Sequence, residues 1–262
     1  MANMTSSASA AQVAAELASA PMDELPALLA RFEDDPRVQV RKACDRARRR
    51  LDRELAEHAR VDEMYRLMRE LGGDGVVVGV DEVGRGSVAG PLTVAAVALP
   101  AEPRIWGLND SKKLTPSRRE VLSARIGEVA DAVGIAHVEP VVIDSRGMAT
   151  ALRLAVQQAV ADTGLDPDCV LMDGNPLHAL PCERNVVHGD ALVASIAAAS
   201  IVAKVTRDEL MSSLAEEYPE YHFAESKGYA SPEHIAAIKR FGLSPVHRVS
   251  FCGNFLETER LF

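Results

Sequence analysis

The chain has 262 residues, a mass of 28.1 kDa and a formal net charge of -9, a size that suits one domain of about 200 residues with an appendage and a charge that argues against a general coat for nucleic acid. Aromatic residues make up only 4% and alanine is abundant, so helix should be plentiful; Cys44, Cys169, Cys182 and Cys252 show no zinc-type spacing and read as reduced thiols of a cytoplasmic protein. No apolar run reaches the roughly 18 residues of a membrane span, and the N-terminus has neither the basic nor the apolar region of an export signal, which predicts a soluble, unexported chain.

Taken in chain order, residues 1–20 are rich in Ala, Ser and Met and read as a disordered leader. A helical extension over 21–72 follows: a short helix from Met22 to Phe32 with Pro26 in its first turn, then a long one to about Gly72 opened by Asp35-Pro36. Between Arg41 and Arg60 that helix holds eight Lys/Arg against four Asp/Glu, which serves either a solvated face laced by i,i+4 pairs or an accessory nucleic-acid contact. The main domain, which ends in C-terminal helices, is expected over 73–262. Val76 to Val80 and Leu92 to Leu99 read as strands, Thr115-Pro116 opens a helix to about Val129, and Ile135 to Val142 is extended. Asp144 or Ser145 caps a helix to about Thr163, Cys169 to Met172 and Asn185 to Val187 are short strands, and Asp190 stands where an N-cap would precede a helix to about Glu217. A last helix spans Pro232 to Arg240, and the apolar Leu261-Phe262 end reads as docked on the domain. Strands first, then strand and helix by turns, imply a mixed α/β sheet covered by helices.

The chemistry concentrates where apolar strands end in carboxylates: Asp81 with Glu82, Asp173, and Asp190. Strand ends of an open α/β sheet converge on one edge, where ligands bind. Acidic groups gathered there repel one another unless cations neutralise them, and hard oxygen ligands without thiolate or imidazole select Mg or Mn over Zn. Successive side chains alternate across a strand, so Asp81 is assured of the site and Glu82 reaches it only if the chain turns; Gly84 and Gly86 supply that turn and leave room for a phosphate or sugar, with Arg85 as a bidentate phosphate donor. Asp173-Gly174 alone would be an ordinary turn and Asp190 alone a structural cap. Lys112 and Lys113 alone would be surface charges, Lys204 and Arg207 could pair with acidic neighbours, and His188 reads as a spectator beside Asp190.

The ordered set resembles ribonuclease HII, the type 2 ribonuclease H, over about residues 73–255. The likeness is carried by Gly79-Val80-Asp81-Glu82-Val83-Gly84-Arg85-Gly86, Ala89-Gly90-Pro91, Leu108-Asn109-Asp110-Ser111-Lys112-Lys113-Leu114, Asp173-Gly174, Gly189-Asp190, the run from Ser195 to Asp208, Lys227-Gly228-Tyr229 and His247-Arg248. It implies an RNase H-like fold, a mixed five-stranded sheet flanked by helices, behind an N-terminal extension resembling that of some Gram-positive members. It further implies hydrolysis of the RNA strand of RNA/DNA hybrids and incision at single ribonucleotides in duplex DNA, leaving 3'-hydroxyl and 5'-phosphate ends. By that resemblance Asp81, Glu82, Asp173 and Asp190 are the catalytic carboxylates and hold two Mg2+ or Mn2+ ions. Gly84, Arg85 and Gly86 read the 2'-hydroxyl, Lys112 lies near the scissile phosphate, and Tyr229 sits at the RNA-to-DNA junction. The enzyme is expected to act as a cytoplasmic monomer away from membranes; the sequence leaves a sliding-clamp partner open.

His188 stands where many members carry Lys, and Ala230-Ser231 where Gly-Thr is commoner, departures that bear on substrate affinity. Ribonuclease HIII is the nearest rival, disfavoured by Arg85 and by Asp190, where that group ends its carboxylate set with Glu. A catalytically silent hybrid-binding protein would be expected to lack at least one of the four carboxylates.

Overall fold

A computed structural model describes residues 8–256; residues 1–7 and 257–262, and with them the Leu261-Phe262 end, lie outside the described residues. The chain divides into two compact units at Arg60.

In the first unit, helix α1 (Ala10–Ser19) starts at a reciprocal cap: the Gln12 amide donates to the Ser9 hydroxyl, and the Gln12 side chain accepts from the Ser9 amide at 2.8 Å. Val13 and Leu17, four residues apart on one face, are buried with Leu25 and Leu29 of α2 (Leu25–Arg31) and with Val40, Ala43, Cys44 and Ala47 of α3 (Val38–Gly72). The segment from Ala8 to Ala20 is therefore structured, against the expectation of a disordered leader. Two apolar residues among alanines look featureless until α2 and α3 provide a surface for them. Pro26 lies in the first turn of α2 as expected. Asp35 does not cap α3; it accepts from the Arg37 amide at 2.9 Å and pairs with the Arg37 guanidinium at 2.6 Å, so the helix opens later.

By packing, the division falls inside α3, because Val61, Met64, Tyr65 and Met68 belong to the core of the second unit. That core is built on a five-stranded sheet of order β3-β2-β1-β4-β5, with β1 Val77–Val83, β2 Leu92–Ala98, β3 Ala132–Val138, β4 Cys169–Asp173 and β5 Glu183–Val186. β1, β2 and β3 pair antiparallel, while β4 runs parallel to β1 and β5 parallel to β4. Every residue of β2 is buried, as a strand covered by helices on both faces requires. Helix α8 (Ala194–Glu217) covers one face with α4 (Pro116–Val129), and α6 (Met148–Asp162) covers the other. Gly79 lets α8 approach: a Cβ there would lie 2.2 Å from the Ser195 carbonyl carbon.

Four local expectations are corrected. β1 continues through Asp81 and Glu82 to Val83, because Glu82 and Val83 still pair with Val94 and Thr93 of β2. Val141 and Val142 are helical, in α5 (Pro140–Arg146), since Pro140 opens a helix directly after β3. Gly147, at φ +76°, separates α5 from α6 where one continuous helix was expected. Asp190 is no N-cap: it lies within the one-turn helix α7 (Gly189–Leu192), and the extended Val193 precedes α8.

After α8 come α9 (Phe223–Ser226), α10 (Pro232–Phe241) and α11 (Val249–Cys252), which enclose Val88, Ala89, Met211, Tyr221 and Phe223 in a separate cluster. Among the described residues no helix is long and apolar enough to cross a membrane.

Candidate active site

Parallel register aligns Val80 with Met172, which sets Asp81 of β1 beside Asp173, the last residue of β4. Alternation then sorts the faces: Val77, Val83 and Leu171 pack toward α8, and Val78, Val80 and Met172 toward α6. Asp81 and Asp173 thus share the α8 face, while Glu82 leaves the strand on the other. Asp173 is anchored by the Gly189 amide, which donates to its Oδ1 at 2.7 Å and ties β4 to the start of α7. One residue on, Asp190 is buried.

Burial and neighbouring acidic charges raise Asp81, Glu82 and Asp190 from their ordinary values. Burial above all, then the charges of Glu82 and Asp173, push Asp81 up to about 8, although the Ser200 hydroxyl and the Glu82 amide oppose the shift by hydrogen bonding to its carboxylate. Burial likewise raises Glu82 against the opposing pull of Arg85, whose Nη1 lies 3.4 Å from its Oε1, and Asp173 adds to the rise. Asp190 is raised by burial and by the charges of Asp110 and Asp173, with Lys112 pulling the other way.

Lys112 is well placed, with Nζ 3.5 Å from Asp190 Oδ2 and 3.9 Å from Asp110 Oδ1. Burial opposes its charge, yet Asp190, Asp110 and Asp81 together outweigh that and raise its pKa. The Asp110 side chain accepts from the Lys112 amide at 2.9 Å and shapes the short 3-10 turn Ser111–Lys113. Ser111 Oγ meets Ser200 Oγ at 2.9 Å. Either hydroxyl can donate in that contact, which ties the turn to α8 beside Asp81. Sequence reasoning missed Asp110, Ser111 and Ser200 as parts of the site; the motif from Leu108 to Leu114 marked the segment but not these roles.

The glycine loop divides in two. Gly84 takes φ +88°, and a Cβ there would lie 2.1 Å from Arg207 Nε; Gly86 has an ordinary φ and nothing within 4 Å of a Cβ position. The fold demands glycine only at Gly84. Beneath the loop lie two fully buried arginines. Arg207 donates to the carbonyls of Pro91, Lys227 and Ala89 and to the Ser87 hydroxyl at 2.8–3.1 Å. Arg248 donates to the carbonyls of Gly90 and Arg85 at 2.9–3.1 Å. Arg207 does not pair with an acidic neighbour as Lys204 does with Asp208 at 2.6 Å. The guanidinium centre lies 5.6 Å from the ring centroid of Tyr229, whose side chain is well exposed. His188 is exposed and turns the chain into α7 with φ 59°.

By chemistry the donor set suits a hard divalent cation, which would relieve the repulsion that raises Asp81, Glu82 and Asp190. Among the described residues, however, no three His, Cys, Asp or Glu side chains come together in a metal-holding cluster. Alternation starts Glu82 on the other face of the sheet, yet its carboxylate stays near enough to feel the charge of Asp173, and Lys112 engages Asp190.

Comparison with known proteins accords with this geometry. Residues 78–254 match the model of the family described as Ribonuclease HII, and residues 9–71 match that of the Ribonuclease HII N-terminal domain. A protein named Ribonuclease HII from Geobacillus thermodenitrificans is 43% identical over 83% of this chain and 85% of its own length. Its namesake from Geobacillus kaustophilus is 43% identical over 87% of this chain and 92% of its own. Among solved structures, the ribonuclease H2 from Pyrococcus horikoshii OT3 superposes with a TM-score of 0.57 at 28% identity, covering 66% of this chain and 92% of that one. The chain belongs to the ribonuclease HII family, a family of hydrolytic endoribonucleases.

Proposed function

We propose that the enzyme hydrolyses the RNA strand of RNA/DNA hybrids and incises duplex DNA at single embedded ribonucleotides, leaving 3'-hydroxyl and 5'-phosphate ends. The observation that carries this reading is the gathering of Asp81, Asp173 and the buried Asp190 by strand register and the Gly189–Asp173 bond, where burial and then the charges of Glu82 and Asp173 push Asp81 up to about 8. Asp81, Glu82, Asp173 and Asp190 would hold two Mg2+ or Mn2+ ions. Bound there, the ions supply activation of the attacking water and stabilisation of the leaving 3'-oxygen.

The chain's own residues account for positioning. Lys112 carries a reinforced positive charge at the edge of the carboxylates and is suited to the scissile phosphate. Arg85 extends an exposed guanidinium from a backbone held by Arg248. Glycine at position 86, which the protein itself does not require, leaves room for backbone approach to a 2'-hydroxyl, the group that separates RNA from DNA. Tyr229 offers an exposed ring face to the sugar at the RNA-to-DNA junction. The deciding experiment compares a duplex carrying one ribonucleotide with an all-DNA duplex of the same sequence, in Mg2+ and in Mn2+. Cleavage confined to the ribonucleotide supports the proposal; equal cutting of both, or of neither, overturns it.

A further inference from the structure

Away from the carboxylates, a line of hydrogen bonds runs through two buried imidazoles, His247 before α11 and His234 on α10. The Ser244 amide donates to His247 Nδ1 at 3.0 Å, with the Ser244 hydroxyl 2.8 Å from the same nitrogen. A backbone amide can only donate, so His247 Nδ1 is unprotonated and the neutral ring carries its hydrogen on Nε2. His247 Nε2 and His234 Nε2 are 3.0 Å apart, which makes His247 the donor and His234 the acceptor. The hydrogen of His234 is then on Nδ1, which donates to the Tyr229 carbonyl at 2.8 Å. Each tautomer follows from the one before it, and the line ends on the backbone of Tyr229.

The Tyr229 carbonyl also accepts from the Ser231 amide at 2.8 Å, so both of its lone pairs are engaged. Aromatic rings fix the imidazoles: Tyr221 lies edge-on to His247 at 4.7 Å, and Phe223 is perpendicular to His234 at 5.2 Å. Burial lowers both imidazole pKa values, which keeps the rings neutral and the donor pattern intact near neutral pH. Next to Tyr229, the Gly228 carbonyl accepts from the amides of Val88 and Ala89 at 2.8 and 3.1 Å, joining this turn to the segment that follows Gly86.

We propose that His247 and His234 are positioning residues: their one-way relay fixes the backbone of Tyr229 and so sets its ring over Arg207, beside the loop of Gly84, Arg85 and Gly86, for recognition of the ribonucleotide. The inference rests on the reading that Tyr229 meets the RNA-to-DNA junction. A polar line through an apolar cluster is costly to desolvate, and filling space there would need only phenylalanine. Its endpoint on Tyr229 gives it a use.

The test measures kcat and KM on a single-ribonucleotide duplex and on a continuous RNA/DNA hybrid. His234→Phe keeps the ring and deletes both bonds; His234→Asn keeps a donor near the Nδ1 position; His247→Asn keeps an acceptor for Ser244 and breaks the link to His234. His234→Phe should lower kcat/KM about tenfold on the single ribonucleotide and less than about threefold on the hybrid, and His234→Asn should recover most of the loss. His247→Asn should show the same selectivity, and it serves if His234→Phe does not fold. Added to Tyr229→Ala, His234→Phe should change nothing further. Equal losses on both substrates, no recovery with His234→Asn, or additive effects with Tyr229→Ala would overturn the relay. Tyr229→Ala alone separates the two readings. If it leaves the substrate ratio unchanged, the junction reading falls and the relay's role with it; if it shifts the ratio while the histidine variants do not, only the relay falls.

Discussion

Arg207 lies so close against Gly84 that any side chain at Gly84 would collide with the guanidinium, at 2.1 Å from Nε. The backbone there also has φ +88°, so both sterics and conformation select glycine. Gly84→Ala is expected to destabilise the protein by about 1–3 kcal/mol. Gly86→Ala should leave the melting temperature unchanged and raise KM for ribonucleotide-containing duplex, because its Cβ would meet only what binds there. Thermal melting and steady-state kinetics on the two variants check this; a strongly destabilised Gly86→Ala would contradict it.

The raised carboxylates predict a pH-dependent strain. With the folded pKa of Asp81 lifted from 3.8 to about 8, the acid form is the one the fold favours. Its stabilising effect is complete below about pH 4 and is lost as pH rises toward 8. In chelator-treated protein Asp81→Asn should therefore gain in stability relative to the parent across that window, by an amount on the order of a few kcal/mol at the upper end, read as a higher melting temperature. Saturating Mg2+ should stabilise the parent more than Asp81→Asn, and the variant should not cleave. Equal stabilisation by Mg2+ would remove Asp81 from the metal site.

His247 predicts the opposite slope. Burial, then the charge that His234 would carry, lower its pKa from 6.5 to about 4; His222 faces His234, and Tyr221 and Phe223 pack around both rings. Stability is complete above pH 6.5 and falls as pH drops toward 4, by about 3 kcal/mol in all. Denaturant unfolding of Asp81→Asn between pH 7.5 and 4 contains this term together with those of Glu82, Asp190 and His234, and the difference made by His247→Asn isolates it. Adding His247→Asn should flatten the slope.

The first unit depends on its alanine-rich helix. Leu17→Ala removes a buried side chain from the cluster with Leu25, Leu29 and Val40 and should cost about 2–4 kcal/mol within that unit. Deleting residues 1–20 should have a larger effect, read as lost amide-exchange protection in α2 and the start of α3. Unchanged protection would show that α1 contributes nothing to this core.

Lys42, Arg46, Arg49 and Arg53 recur at i, i+4, i+7 and i+11 on α3, all exposed. Further along, the charges are laced in pairs, as in Arg60 with Glu57 and Arg66 with Glu63 and Glu70. If this stripe meets phosphates, replacing Lys42, Arg46 and Arg53 by Gln should flatten the salt dependence of duplex binding, by up to about one logarithmic unit of slope per lost contact. An unchanged slope would leave the stripe as solvated surface.

What the sequence by itself determined lies in local pattern and chemistry. Apolar runs leading into Asp81 and Asp173 announced strands that carry carboxylates, since apolar runs mark buried strands and a polar residue after one stands out; Thr115-Pro116 and Pro26 marked helix starts, because capping and a fixed φ act over a few residues. The ordered motifs from Gly79 to Arg248 identified the family. Tertiary structure decided everything that depends on partners distant along the chain. Whether β1 stops at Val80 or runs to Val83 rests on pairing with β2, and that pairing turns Glu82 away from the face of Asp81. Arg207 reads as a surface cation on a helix, yet it is buried among carbonyls as far as 118 residues away. Ser111 and Ser200, 89 positions apart, become parts of one site only when α8 crosses the sheet at Gly79. Val13 and Leu17 became core residues on the same grounds: an amphipathic period of two residues carries little weight until another surface exists to bury it.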